Sequence, residues 1–320
     1  MKGTLSGVLN LNKPGGLTSR AVVDMVVRPL RETKVGHAGT LDPLATGVLV
    51  VCVGAATRLI EYVQRMSKTY RTTVLLGARS DTLDADGQVV AVESPRVPSA
   101  PEIRTALAAQ VGTIAQIPPQ YSALKVHGRR AYDLARAGHA VDLAPRHVII
   151  SRIDVLAYAW PRLDLEIDCG SGTYIRSIAR DVGESLECGG LVEVLTRTRI
   201  GPFTLDEALG CGGLVEVLTR TRIGPFTLDD AHEPVGLTAE SISSRLRPTL
   251  EAVSQLPWLS LSPDQIAAIG QGRALTADQF GGAVPTGEVA LLGPDGALVA
   301  IAEVMAESGR IEPRRVLASG

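Results

Sequence analysis

The sequence predicts a mixed α/β fold of the α+β kind: a largely antiparallel sheet with interspersed helices, followed by a small β-rich unit. Three observations predict it. Strand and helix signals alternate irregularly, and neighbouring strands are joined by tight turns instead of the long crossovers of a doubly wound parallel sheet. Of 320 residues, 45% are hydrophobic and 21% charged, enough apolar side chains for a sizeable core. Beyond about residue 250 the chain breaks into short segments punctuated by glycine and proline.

The elements follow in order. Gly7 to Leu11 reads as a strand that ends in the turn Lys13-Pro14-Gly15-Gly16. Thr18 or Ser19 caps a helix over Arg20–Leu30, with Val22, Val23, Val26 and Val27 on one side. Val35 to Leu44 is a loop, and the apolar run Val48–Val53 a buried strand. Ala55–Met66 fits a helix and Thr69–Leu76 a strand. A polar turn over Asp81–Gly87 precedes a strand at Val89–Val92, and a proline-rich stretch leads into a helix over Glu102–Gln110. Ser122–Val126 reads as a strand, Arg130–Ala137 as a helix, and Val148–Trp160 and Leu163–Cys169 as two strands joined at Pro161-Arg162. Ser171–Leu186 fits a helix. Residues 232–249 lack strong periodicity and form a linker. Short strands are expected at Trp258–Leu261, Val289–Leu292, Ala297–Val304 and Arg315–Leu317.

Composition narrows the function. Aromatic residues are only 3%, so the core is aliphatic and each tyrosine stands out. Four scattered cysteines, Cys52, Cys169, Cys188 and Cys211, without a CxxC pair suit small buried hydrophobes in a reducing compartment. There is no run of about 18 apolar residues and no apolar leader, so no membrane association is expected and a cytoplasmic location is. Net charge is −2, yet residues 1–72 carry ten basic and four acidic side chains, whereas residues 229–320 carry six arginines and twelve acids. A basic front segment attracts phosphates locally.

One feature is abnormal. The stretch from Cys188 to Asp206 recurs, identical, from Cys211, so residues 188–208 and 211–231 form a tandem duplication with a 23-residue offset. Two copies cannot make a solenoid. Only one can fill a given slot, and the other becomes an excursion, which costs little at a surface.

The densest cluster of polar and glycine residues is Gly36-His37-Ala38-Gly39-Thr40-Leu41-Asp42-Pro43-Leu44-Ala45-Thr46-Gly47, immediately before a buried strand, a usual place for a site. It offers one carboxylate and one imidazole. Taken alone, Asp42 before Pro43 is a turn starter and His37 fills space. No partner carboxylate is near, so a two-carboxylate hydrolase is not indicated. No HxH or HExxH occurs, so neither is a metal.

The loop resembles the catalytic signature of the TruB family, bacterial tRNA pseudouridine synthases acting on the T-loop uridine at tRNA position 55. Other blocks resemble the family in order: Gly7-Val8-Leu9-Asn10-Leu11-Asn12-Lys13-Pro14, Ser67-Lys68-Thr69-Tyr70, Tyr121-Ser122-Ala123-Leu124-Lys125-Val126-His127-Gly128 with Tyr132, and Gly170-Ser171-Gly172-Thr173-Tyr174-Ile175-Arg176-Ser177. The tail after about residue 250 is similar to a small PUA-like RNA-binding domain. The resemblance implies a sheet of the pseudouridine synthase type in residues 1–231, a linker over 232–249 and the PUA-like domain over 250–320.

It also implies roles. Asp42 is the catalytic carboxylate, either attacking C1′ of the ribose or abstracting the C2′ proton. Tyr70 stacks on the flipped base, and Arg176 pairs with Asp42. His37, Tyr174, Lys13 and Lys68 line or support the substrate pocket. A leucine packs beneath the uracil. It is Leu195 in the first repeat copy, which keeps the family spacing from Arg176, or Leu218 in the second. The first is favoured. Read without the resemblance, Tyr70 and Tyr174 are equally core tyrosines, and Arg176 a surface arginine at a helix start. The implied partner is tRNA through its T-stem-loop, the chain acts as a monomer, and no cofactor or metal is called for. The sequence departs from the family where Gly-Ala-His is usual: both copies read Gly-Gly-Leu, without the histidine. Two rivals stand beside this reading. One is a non-catalytic tRNA-binding or RNA-folding protein whose pocket the duplication has damaged. The other is a nucleoside hydrolase that yields free uracil.

Overall fold

The computed structural model describes residues 5–122, 124–126, 128–137, 142–210, 222–223, 226–227, 237–281 and 284–317. The first half runs β1 (Gly7–Lys13), α1 (Ser19–Val27), β2 (Val35–His37), β3 (Thr46–Val53), a 3-10 turn (Gly54–Leu59), α2 (Ile60–Arg65), β4 (Lys68–Leu76), β5 (Ala78–Ser80), β6 (Val89–Ala91), α3 (Ala100–Ala108) and β7 (Gly112–Gln116). There follow β8 (Lys125–Val126), β9 (Arg129–Arg130), α4 (Ala131–Arg136), β10 (Arg146–Ala159), β11 (Arg162–Cys169), α5 (Ile175–Ser185), β12 (Gly190–Ile200), β13 (Phe203–Thr204) and β14 (Leu209–Gly210).

Ten of these strands build one sheet in the order β14-β1-β3-β12-β4-β11-β10-β7, with β2 beside β3 and β13 beside β12, while β5 with β6 and β8 with β9 form two separate two-stranded ribbons. The pairs are antiparallel except β12 with β3 and β14 with β1. The mixed, largely antiparallel sheet is the fold that the sequence predicts.

The sheet has two regimes. Val48 to Val53 of β3 are completely buried, because α1 covers one face through Val22, Val23 and Val26, while Leu59, Tyr62 and Val63 cover the other. A strand enclosed on both faces reads as a continuous apolar run. Further along, β4 and β11 bury alternate residues against α3 and α5, and their other face is polar. Arg71 and Arg152 pair there with Glu166, and Arg152 also pairs with Asp168.

Three local differences from the sequence reading have simple causes. The first residues of the expected loop at Val35 join the sheet instead, with His37 opposite Val51. Helix α5 starts at Ile175 and not at Ser171, because Gly172 sits at φ +82°, outside helical space. The stretch expected as a linker carries α6 (Ala239–Arg245), capped by Thr238, after the short strands β15 (Arg222–Ile223) and β16 (Phe226–Thr227).

A separate five-stranded sheet closes the chain: β17 (Trp258–Ser260), β18 (Leu275–Thr276), β19 (Gly287–Leu292), β20 (Leu298–Val304) and β21 (Arg310–Val316), in the order β17-β19-β20-β21-β18. It is the β-rich, PUA-like unit the resemblance implies, and it adds to the four expected strands the short β18 and the helix α7 (Pro263–Gly270), while its last strand begins at Arg310 and not at Arg315. Ala290, Leu292, Ile301 and Leu317 of this unit pack into the same cluster as Tyr62 and Val63. Around that seam the Tyr62 hydroxyl and Arg65 both donate to Glu288, at 2.9 and 3.0 Å, and Arg315 pairs with Glu61. Cys52, Cys169 and Cys188 are buried free thiols, as expected; burial pushes the Cys52 thiol up to about 12. Cys211 lies outside the described residues. Among the described residues no helix is long and apolar enough to cross a membrane.

Candidate active site

The loop between β2 and β3 leaves the sheet at His37 and re-enters it at Thr46, and the neighbouring elements hold it. The Ser19 hydroxyl bridges the main chain of Leu41, accepting from its N–H at 2.8 Å and donating to its carbonyl at 3.1 Å. Lys13 is fully buried beneath the loop, and its ammonium donates to the carbonyls of Leu17, Pro14 and Pro43 at 2.6, 2.8 and 3.2 Å. Such carbonyls would otherwise be stranded away from water. Gly47 is required where the loop meets β12: its φ is +98°, and a Cβ there would lie 2.2 Å from the carbonyl oxygen of Arg197.

This scaffold turns Asp42 towards a cavity of about 510 Å³. The Arg176 guanidinium reaches it from behind, with Nε 3.0 Å from Asp42 Oδ2. The arginine side chain is 5% exposed and the aspartate side chain 35%, so a buried cation presents a carboxylate that is still open to the cavity. The other two nitrogens of the guanidinium also have partners. Nη1 lies 3.3 Å from Asp84 and donates to the Thr82 carbonyl at 2.8 Å, and Nη2 donates to the Tyr121 carbonyl at 2.9 Å. Burial holds the Asp84 carboxyl above its ordinary range, against the opposing pull of the Thr82 hydroxyl and Arg176.

Asp42, Tyr70, Tyr174, Arg176, Leu195 and Lys68 all line this one cavity. Tyr70 comes from β4, a buried ring whose hydroxyl burial pushes up. Tyr174 caps α5, where the Gln116 side-chain amide brackets its backbone, accepting from Tyr174 N at 2.9 Å and donating to its carbonyl at 3.1 Å. The Lys68 ammonium donates to the carbonyls of Gln64 and Met66, and burial, with Arg197 nearby, lowers it to about 8. Two of the sequence-derived residues are not among the cavity lining. His37 ends β2 beside Val51, and Lys13 lies under the loop. Sequence reasoning missed Asp84, Gln116 and Arg197, which hold Arg176, Tyr174 and the loop. Each sits in a turn or strand whose pattern does not set it apart from any polar residue.

The first repeat copy forms β12, with Leu195 6% exposed at the cavity wall. Leu218 lies outside the described residues. Leu195→Ala is therefore expected to lower turnover more than Leu218→Ala, measured as initial rates on tRNA. Equal losses, or the reverse order, would refute the assignment of Leu195 to the cavity.

The comparisons with known proteins point one way. A family model described as the TruB family pseudouridylate synthase N-terminal domain matches residues 27–175. The tRNA pseudouridine synthase B of Syntrophotalea carbinolica is 37% identical over 298 residues, covering 92% of this chain and 90% of that one. The protein of the same name from Cereibacter sphaeroides is 39% identical over 316 residues, covering 98% of this chain and 96% of that one. Among solved structures, a chain from a Cbf5-Nop10-Gar1 complex superposes with a TM-score of 0.69 at 24% identity, covering 98% of this chain and 85% of its own. That likeness concerns the fold alone.

Proposed function

The chain belongs to the TruB family and is an RNA pseudouridine synthase acting on tRNA; from that premise we propose that it isomerises the T-loop uridine at tRNA position 55, with Asp42 as the catalytic carboxylate. The observation that carries the reading is the Asp42 carboxylate, open to a nucleotide-sized cavity and gripped by the buried Arg176.

The chemistry is an isomerisation. The N1–C1′ bond breaks, the uracil turns within the cavity, a C5–C1′ bond forms, the C5 proton leaves to solvent, and the freed N1 takes up a proton from solvent, so atoms and charge balance. Neither water nor a co-reactant enters the balance. Asp42 serves by one of two routes, attack at C1′ or removal of the C2′ proton, and is regenerated in both. Arg176 fixes its aim, as a charge-assisted hydrogen bond does. The target base must first leave its stack, at a cost of a few kcal/mol. Stacking on Tyr70 returns about 1–3 kcal/mol, and Leu195 supplies an apolar floor. Basic side chains of the front segment hold phosphates of the T-stem-loop. The same reading assigns residues 1–231 to catalysis, 232–249 to a connection and 250–320 to a PUA-like RNA-binding domain, in a chain that acts as a monomer.

The test is tRNA carrying tritium at uridine C5. Tritium appears in water in step with pseudouridine, and no free uracil forms. Bound tRNA without release would favour an RNA-folding protein, and free uracil a hydrolase.

Lys68 adds a pH signature. Its ammonium is charged below about 8 and neutral above. If the charge helps to hold the substrate, kcat/KM declines as pH rises through about 8. Lys68→Arg, which stays protonated, removes that decline. A profile that is the same in both proteins would exclude Lys68 from substrate binding.

A further inference from the structure

Arg197 is a charged side chain that the proposed chemistry does not use. It lies in β12, two residues beyond Leu195, and is 1% exposed. Its guanidinium meets main-chain carbonyls: Nε donates to Val48 at 2.7 Å, Nη2 to Gly39 at 3.2 Å and Nη1 to Thr40 at 3.5 Å. Gly39 and Thr40 belong to the leg of the loop that leads to Asp42. Val48 belongs to the leg that leads away, inside β3. One rigid planar group thus bridges both legs with Asp42 between them.

Burying a guanidinium mainly against carbonyls is costly, and an apolar residue would suit a strand enclosed in the sheet, yet here the guanidinium also lines the cavity beside Tyr70. The fold keeps the arginine where the loop meets β12, so that its guanidinium takes up carbonyls of Gly39 and Thr40 in the loop and of Val48 in β3. Contact with the loop is also direct through the backbone, since Thr196 and Arg197 pair with Thr46 and Gly47. The same guanidinium opposes the upward push on the Tyr70 hydroxyl, so it faces the second element that carries the proposed chemistry.

We infer that Arg197 is a positioning residue that aims Asp42 by clamping both legs of the loop over residues 39–48, and that it governs the chemical step and not tRNA affinity. The inference rests on Asp42 as the catalytic carboxylate. It requires the flat fork of arginine. Lysine keeps the charge but, as a point charge on a flexible stem, cannot hold carbonyls of two legs in one plane.

The experiment compares the full-length wild type, Arg197→Lys and Arg220→Gln, the last at the equivalent position of the second repeat copy. Single-turnover tritium release, tRNA Kd, Tm and amide hydrogen exchange are measured on each. Arg197→Lys is expected to slow the single turnover about 100-fold, the scale on which misplaced catalytic groups cost. Its Kd and Tm stay near wild type, and exchange rises over residues 39–48 while β4 and β11 stay protected. Arg220→Gln changes none of these. Wild-type turnover in Arg197→Lys overturns the inference. So does a loss that appears in Kd, or in Tm with general exchange, or an equal loss in Arg220→Gln. The Asp42 reading fails separately, as release that survives Asp42→Asn, and would take the inference with it.

Discussion

Asp42→Asn is expected to lower pseudouridine formation by at least about 10,000-fold, the upper range for loss of a group acting directly on the reacting atoms, while tRNA binding stays close to wild type. Asparagine has nearly the same shape and can still accept a hydrogen bond from Arg176 Nε. It can neither attack C1′ usefully nor take the C2′ proton. Binding is spared because the RNA is held largely through its phosphates and shape, and because Arg176 keeps Asp84, Thr82 and Tyr121 as partners. Tritium release reads the first quantity and filter binding of the T-stem-loop the second. Residual activity within ten-fold of wild type would remove Asp42 from the chemistry.

Arg176→Ala has the second large effect, and it falls on stability as well as rate. The guanidinium lies between two carboxylates, and its side chain and that of Asp84 are 5% and 6% exposed. Removing one partner of a buried pair leaves the other charge uncompensated, typically at a cost of about 3–5 kcal/mol. Denaturant unfolding should show a loss of that size, and tritium release should vanish. The pH dependence has a definite sign. Burial already raises the folded Asp84 carboxyl and Arg176 opposes that rise, so the variant raises it further. Above the unfolded aspartate value of about 3.9 the folded state then holds a proton that the unfolded chain has lost, and stability falls as pH rises. The variant is therefore least defective in acid. A stability loss that does not change with pH would mean that Asp84 is not the group left unpaired.

Much of the site was legible through the resemblance of short runs to the TruB family, since without it Asp42 reads as a turn starter, Tyr70 and Tyr174 equally as core tyrosines and Arg176 as a surface arginine. The loop over 36–47 is too rich in glycine and polar residues for a simple connection, and Tyr70 and Tyr174 stand out in a chain poor in aromatics. What was missed lies elsewhere. Asp84 occupies an ordinary polar turn, and only the fold brings it to Arg176. Gln116 ends β7, 58 residues before the backbone it brackets. Helix α7 had a readable start, since Ser262 and Gln265 form a capping box after which Pro263 sits at the first turn. The glycine- and proline-rich surroundings read as short strands instead. His37 and Lys13 show the reverse. Their place in the motif blocks suggested contact with substrate, and in the folded chain neither lines the cavity.

The order of apolar and polar residues alone determined that this chain forms a mixed sheet with a small β-rich tail, because burial periodicity is a local property of sequence. It could not choose between two identical copies of one strand. Tertiary contacts decided that. The first copy follows α5 directly, and its glycines let the chain turn against the helix, where a Cβ on Gly183 would lie 2.3 Å from Gly189 and Gly190. It then lies between β3 and β4, with Leu195 and Arg197 both lining the cavity that Asp42 faces. Equal sequences have equal propensities, so local pattern could not tell them apart; the spacing from Arg176 favoured the first, and the path of the chain through space puts it at the cavity.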